Sequence, residues 1–175
     1  MSADLQLVCD YVNSADLEGE QDELADGRGL VRWLSAHGLA GEHARATDAD
    51  AAEARLLREA LRTLMRANNG DLVDRAAAAA QLDASGRRAA LAVRFDSGSI
   101  RLVPRERGVR GGLGVVLGAA GEAMADGSWR RAKACHSESC RWAFVDRSRN
   151  QSRQWCSMSV CGNRAKARAF RERHG

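Results

Sequence analysis

The sequence predicts an α+β fold, in which a mainly helical N-terminal domain with one β-hairpin precedes a small C-terminal module. Three observations support this fold class. Apolar residues recur at helical spacing in the first 125 residues. They alternate with small or polar residues over 91–102. Four of the five cysteines lie in the last 41 residues. We place the two domains at 1–127 and 128–175, with Asp126-Gly127-Ser128 as the boundary.

The composition is typical of a globular protein. The 175 residues are 45% hydrophobic and 29% charged, values that exclude a disordered or collagen-like chain. The longest apolar run, Leu113 to Gly121, is too short to cross a bilayer. No basic stretch followed by an apolar one opens the sequence, as a secretory signal requires. We therefore expect a cytoplasmic protein that does not associate with membranes.

Two short helices are predicted in the first forty residues, separated by an acidic loop over 16–27. Their apolar residues recur every three or four positions: Leu5, Val8 and Val12 in the first, and Leu30, Trp33 and Leu34 in the second. Gly38 ends the second helix. Each helix therefore has one apolar face that needs a partner.

Thr47 begins the clearest predicted helix. Its hydroxyl can cap free backbone amides, and the carboxylate of Asp48 suits the positive end of the helix dipole. This helix ends at 68–70, and a second, alanine-rich helix follows over 71–84 until Gly86 ends it. The pair predicts an αα-hairpin.

A β-hairpin and a glycine-rich segment complete the N-terminal domain. The turn at 96–99 suits positive φ, and Pro104 closes the second strand. The next segment, Val109 to Ala125, would be a helix whose glycines pack closely against a neighbour, or alternatively a loop around a phosphate. The spacings typical of phosphate-binding loops are absent, which favours the helix.

Charge is divided unevenly along the chain, whose net charge is +4. From Ser128 onward there are twelve Lys or Arg residues and three acids, whereas the preceding 127 residues hold 15 basic and 20 acidic residues. A basic tail on an acidic body indicates a polyanionic partner for the tail.

The cysteines of the module predict a metal site. Cys135 and Cys140 are five apart, as are Cys156 and Cys161, and fifteen residues separate the pairs. Two matched pairs suit four thiolates around one structural zinc ion, which such a small module needs in order to fold. The alternatives are two disulfides or four free thiols.

The segments between and after the cysteine pairs predict a treble-clef-like arrangement. Residues 141–145 and 153–155 would form a two-stranded ribbon with its tip at 146–152. A basic helix would follow Cys161, whose thiolate the helix dipole would favour. Arg164 lies in the first turn, where the dipole disfavours a cation, so we expect it to pair with Asp146 or a phosphate.

The cysteines and the residues around them resemble the CGNR zinc finger. The matching stretches include Trp142 to Asn150, Arg153 to Met158 and the Cys161-Gly162-Asn163-Arg164 sequence. The N-terminal domain is similar to the ABATE domain through 7–13 and 30–34. The resemblance implies a stress-related bacterial transcription regulator that holds zinc on Cys135, Cys140, Cys156 and Cys161.

Our leading interpretation is a zinc-dependent regulator that binds DNA. The predicted nucleic-acid contacts are the polar and basic residues of the ribbon tip and the last helix: Arg147, Arg149, Asn150, Arg153, Arg164, Lys166, Arg168 and Arg171. The N-terminal domain would be a sensor for a small-molecule effector or a homodimerisation scaffold.

Three alternatives stay open from the sequence. They are a basic face that is only a solvated surface, an RNA partner stacked on Trp142 and Phe144, and a module that docks on an acidic protein. An enzyme is not expected, because a shell of four cysteines leaves no open position for activated water. Cys9 is expected to be a small core residue.

Overall fold

The computed structural model describes residues 3–41 and 43–174, without the side chains of 3, 4 and 174. In chain order, the first part comprises α1 (Ala3–Val12), β1 (Ala15–Asp16), β2 (Gln21–Asp22), α2 (Gly27–Ala36), α3 (Asp48–Asn68), α4 (Arg75–Arg88), β3 (Leu91–Asp96), β4 (Ser99–Pro104) and α5 (Gly108–Ala125). We call these elements the helical body. Within the described residues, no helix is both long and apolar enough to span a membrane.

The C-terminal module (residues 128–174) is smaller and less regular. It comprises a 3₁₀ turn (Ser128–Arg131), β5 (Ala132–Ala134), β6 (Ala143–Val145), a π-helical turn (Met158–Gly162) and α6 (Asn163–His174). β5 and β6 pair antiparallel, with Ala132 opposite Val145 and Ala134 opposite Ala143. The α+β fold class predicted from the sequence is confirmed.

The core lies among α1, α2, α3 and α5 and continues into the 3₁₀ turn, β5 and β6 of the module. The predicted apolar faces of α1 and α2 are buried in it, as is Cys9. Tyr11 lies fully inside, and its hydroxyl donates a hydrogen bond to the Ala54 carbonyl oxygen at 2.6 Å. This bond ties α1 to α3 and satisfies a buried polar group.

Helix starts follow the predicted capping chemistry in α3 but not in α4. Thr47 and Asp50 form a capping box at the start of α3. The prediction of a helix over 71–84 is wrong at both ends, because Asp74 caps α4 through the Ala77 N–H and the helix runs through Gly86 to Arg88. Gly86 lies against Leu91 and Leu117 instead of ending the helix.

The glycine-rich segment is a helix that packs on the β3–β4 hairpin. The hairpin forms as predicted, with Gly98 at its turn in the left-handed region. A Cβ atom on Gly118 of α5 would lie 2.5 Å from the Leu102 carbonyl oxygen, and one on Gly114 would lie 2.7 Å from Pro104 Cβ. Glycine is therefore required for close approach, and the phosphate-loop alternative is wrong.

Gly118→Ala should destabilise the protein by about 1–3 kcal/mol, because the new methyl group would overlap backbone atoms of β4. Gly86→Ala is the matched control: its Cβ would meet side chains at 3.7 Å, so it should be neutral or stabilise by up to about 1 kcal/mol. Urea unfolding of both variants measures the difference. A neutral Gly118→Ala would contradict the close packing.

Candidate metal centre and basic surface

The four cysteines of the module meet at one point. Their Sγ atoms all lie within 4.8 Å of one another. Cys135 follows β5, Cys140 precedes β6, and Cys161 lies in the π-helical turn that leads into α6. The Cys140–Cys156 and Cys156–Cys161 Sγ–Sγ distances are 3.6 and 3.7 Å. Three separate segments of the chain therefore converge on one cluster.

These sulfur positions fit a tetrahedral zinc site. Zn–S bonds of about 2.3 Å put the sulfurs of a tetrahedron about 3.8 Å apart, close to the two distances above. A disulfide bond would need about 2.05 Å, so the four thiols are not paired as disulfides. The cluster is the site of one structural zinc ion, and its four thiolates leave no coordination position for substrate or water.

Without a cation, burial opposes ionisation of the thiols in the cluster. Burial, with the neighbouring sulfurs, raises the pKa of Cys156 well above its usual range. Burial is also the main reason that the pKa of Cys161 rises to about 11. Burial acts against ionisation of Cys135 too, but backbone N–H groups of Cys156 and Ser137 outweigh it and lower that pKa. Four thiolates are stable together only around a divalent ion.

The ribbon predicted between the cysteine pairs is wrong in its pairing. β6 pairs with β5, so the hairpin turns at the first cysteine pair, and 153–155 form no strand. The reason is a buried ion pair. The Lys133 ammonium donates to the Gln151 and Arg153 carbonyl oxygens, and the Asp146 carboxylate accepts from the Arg153 N–H. These bonds use the backbone N–H and C=O groups of 151–153 that a strand in the predicted ribbon would need for pairing.

Asp146 and Lys133 are structural residues that the sequence did not reveal. The Asp146 carboxylate is fully buried and lies 2.9 Å from the Lys133 Nζ atom. It also accepts bonds from the Ser148 hydroxyl and backbone N–H. Burial alone would raise the pKa of Asp146, but these donors outweigh it and hold the pKa well below its usual range.

Polar side chains of the helical body hold the module in place. The Asn68 side-chain amide donates to the Trp129 and Ala132 carbonyl oxygens, and that of Asn69 donates to Ala134 and Gln154. Asn13 pairs with both backbone groups of Ala143. The module is therefore fixed against the ends of α1 and α3 by asparagine side chains that hydrogen-bond to its backbone.

Charged groups reinforce the same contact. The buried Arg62 guanidinium donates to the Arg141 carbonyl oxygen in the module and to Val12 in α1. Asp71, just beyond α3, pairs with Arg141 at 2.7 Å and with His136 at 2.9 Å. No local sequence signal marks these pairings, because the partners lie far apart in the chain.

The basic residues of α6 are exposed. Arg164, Lys166, Arg168 and Arg171 all face solvent. Arg164 pairs with Glu18 in the loop between β1 and β2, so the expectation that it pairs with Asp146 is wrong. Asp146 is unavailable because it is buried against Lys133. Within the described residues, no hydrogen bond or ion pair involves the side chains of Lys166, Arg168 or Arg171.

The other predicted contacts lie elsewhere on the module. Arg147, Arg149 and Asn150 are exposed and follow β6 at the end of the hairpin remote from the cysteines. Arg153 is exposed, but its guanidinium donates to the Trp155 and Cys156 carbonyl oxygens and stacks 4.7 Å from the Phe144 ring. Arg153 therefore supports the backbone around a zinc ligand.

The two aromatic residues considered as stacking platforms differ in exposure. Phe144 is buried beneath Arg153 and belongs to the interior of the module. Trp142 is 39% exposed and lies at the edge of a cleft between the module and the helical body.

Comparison with known families identifies both parts of the chain. Residues 5–127 match the ABATE family, which is described as a "Putative stress-induced transcription regulator". Residues 131–174 match the CGNR zinc finger. Both resemblances inferred from the sequence are confirmed, and neither description is that of an enzyme. No curated protein matches the chain.

Cys161→Ala should abolish stoichiometric zinc binding and unfold the module, since structural zinc supplies about 10–16 kcal/mol of apparent binding energy in comparable peptides. Elemental analysis should give one zinc per chain in the wild type and none in the variant. Cys9→Ala is the control, because this fifth cysteine is buried in the helical body and should leave the zinc content unchanged. Zinc retained by Cys161→Ala would contradict the site.

Asp146→Asn should cost about 3–5 kcal/mol, because all four partners of the carboxylate are donors and the Lys133 ammonium would lose its counter-ion. Urea unfolding of the zinc-loaded protein measures this loss. The native pKa lies below the unfolded value of about 3.9, so the stabilisation is complete above that value and disappears as the pH falls through the native pKa. The loss should therefore be equal at pH 7 and pH 5. A change between these two values would show that another group titrates.

Proposed function

The chain belongs to the ABATE family and ends in a CGNR zinc finger, and from this we propose that it is a zinc-dependent regulator that binds DNA. The main observation in support is the exposed basic side chains of α6, a helix that begins directly after the last zinc ligand. Uncompensated cations on one helix repel one another, and phosphates relieve that repulsion.

Two basic surfaces would contact the phosphates. The first is α6 with Lys166, Arg168 and Arg171, and the second is the loop with Arg147 and Arg149 at the remote end of the β5–β6 hairpin. Such contacts position a protein on DNA, and Asn150 beside the second surface has the amide donor and acceptor that suit a base edge. We leave Arg153 out of the contact set because its guanidinium is bound to backbone carbonyls.

Arg164 would join the contact set only after it leaves Glu18. The Glu18 carboxylate occupies the position on Arg164 that a phosphate oxygen would take, so it competes with DNA. Both charges of this pair are exposed to solvent, which makes the competition weak and easily reversed.

A salt titration of binding to duplex DNA tests the proposal. Five phosphate contacts predict that log affinity falls with log salt at a slope near −4 to −5. Arg168→Ala/Arg171→Ala should make the slope shallower by about 2 units, measured by fluorescence anisotropy. Arg75→Ala/Arg87→Ala, in exposed α4 positions, removes the same charge and should leave the slope unchanged.

Two results would contradict DNA binding by α6. One is a flat salt response of the wild type, and the other is an equal loss in both double variants, which would mean that only net charge matters. Glu18→Gln adds a further arm, since removing the competitor should strengthen binding at low salt, and a weaker complex would show that Glu18 does not compete.

An acidic protein is the second candidate partner, and one observation favours it. Arg164 already forms an ion pair with the Glu18 carboxylate, so the surface of α6 is compatible with acidic side chains. A complex recovered from cells that survives nuclease digestion and is lost in Arg168→Ala/Arg171→Ala would support this partner. Complete loss on digestion would exclude it.

A further inference from the structure

A cleft of about 450 Å³ lies between the helical body and the module. Its walls come from α1, α2 and β6, and Cys156, a zinc ligand, lines one side. We propose that this cleft binds a small aromatic amine. The volume lies within the range of about 300–1,000 Å³ that is typical of small-molecule sites.

Aromatic side chains form the apolar part of the cleft. His37 stacks on Trp33 with ring centroids 3.9 Å apart, and its Nδ1 lies 2.8 Å from the Trp33 carbonyl oxygen. The imidazole is thereby held flat over the buried indole. Trp142 lines the cleft from the module and keeps 39% of its surface exposed. Two aromatic groups from different parts of the fold are therefore available to a flat ligand.

Carboxylates in the same cleft favour a cationic ligand. Asp10 and Glu23 line it, and no lysine or arginine is among the described residues that do so. Asp10 accepts one hydrogen bond, from Gln6 at 2.9 Å, and no ion pair involves either carboxylate within the described part of the chain. A zinc ion with four thiolates adds about two negative charges beside Cys156. An ammonium group is the complement of this field, and an indole face also attracts cations.

The position of the cleft gives such a ligand two sets of contacts. The ligand would touch α1 and α2 on one side and β6 on the other. Asn13, which also lines the cleft, already joins the two parts through its hydrogen bond to Ala143 in β6. A ligand in this cleft would therefore stabilise the module against the helical body. The proposal concerns binding alone, and it stands whether or not the module binds DNA.

Tryptamine and its neutral analogue tryptophol are the probes, titrated by calorimetry into the zinc-loaded full chain without DNA. Tryptamine should bind at least tenfold more tightly than tryptophol, and Asp10→Asn/Glu23→Gln should remove that preference. Asp83→Asn, an exposed acid on α4, is the control and should keep it. Zinc content and urea stability of every variant confirm that the fold is intact.

Three outcomes would overturn the proposal. They are equal binding of the two probes, tryptamine binding that survives Asp10→Asn/Glu23→Gln, and no binding of tryptamine to the wild type. A separate competition experiment tests the source of the amine. If a lysine-containing peptide binds the cleft more tightly than tryptamine and displaces it, the natural ligand is a protein side chain. That result would overturn the small-molecule proposal.

Discussion

One ion held by four thiolates joins the segments of the C-terminal module that carry the cysteines. Cys135, Cys140, Cys156 and Cys161 come from three segments that share little regular structure. The module has little core of its own, because most of its buried apolar residues belong to the core of the helical body: Trp129, Ala132, Ala134, Ala143 and Val145. Since α6 continues directly from the π-helical turn that carries Cys161, the ion also sets where the basic helix points.

The module is not a loosely tethered appendage of the helical body. Amide side chains of Asn13, Asn68 and Asn69 bind its backbone, and Arg62 and Asp71 add charged contacts. The β5–β6 hairpin and the helices therefore share one core, and a molecule that binds between them contacts both.

Local patterns in the sequence predicted the helices, the β3–β4 hairpin and the metal ligands, because period, caps and cysteine spacing are short-range features. The pairing of β5 with β6 was missed because Ala132-Lys133-Ala134 has no strand pattern and a lysine normally indicates solvent. Contacts such as Arg164 with Glu18, 146 positions apart, leave no local trace. From the sequence, Asn68 and Asn69 indicated only the end of a helix. In the structure, their side-chain amides also hydrogen-bond to the backbone of the module.

X-ray absorption spectroscopy at the zinc edge of the purified, reduced full chain tests the metal centre most directly. Four sulfur neighbours at about 2.3 Å, with no nitrogen or oxygen in the shell, are expected from the convergence of the four Sγ atoms. A shell that contains nitrogen or oxygen would contradict the closed four-thiolate site. So would a chain that carries no zinc at all.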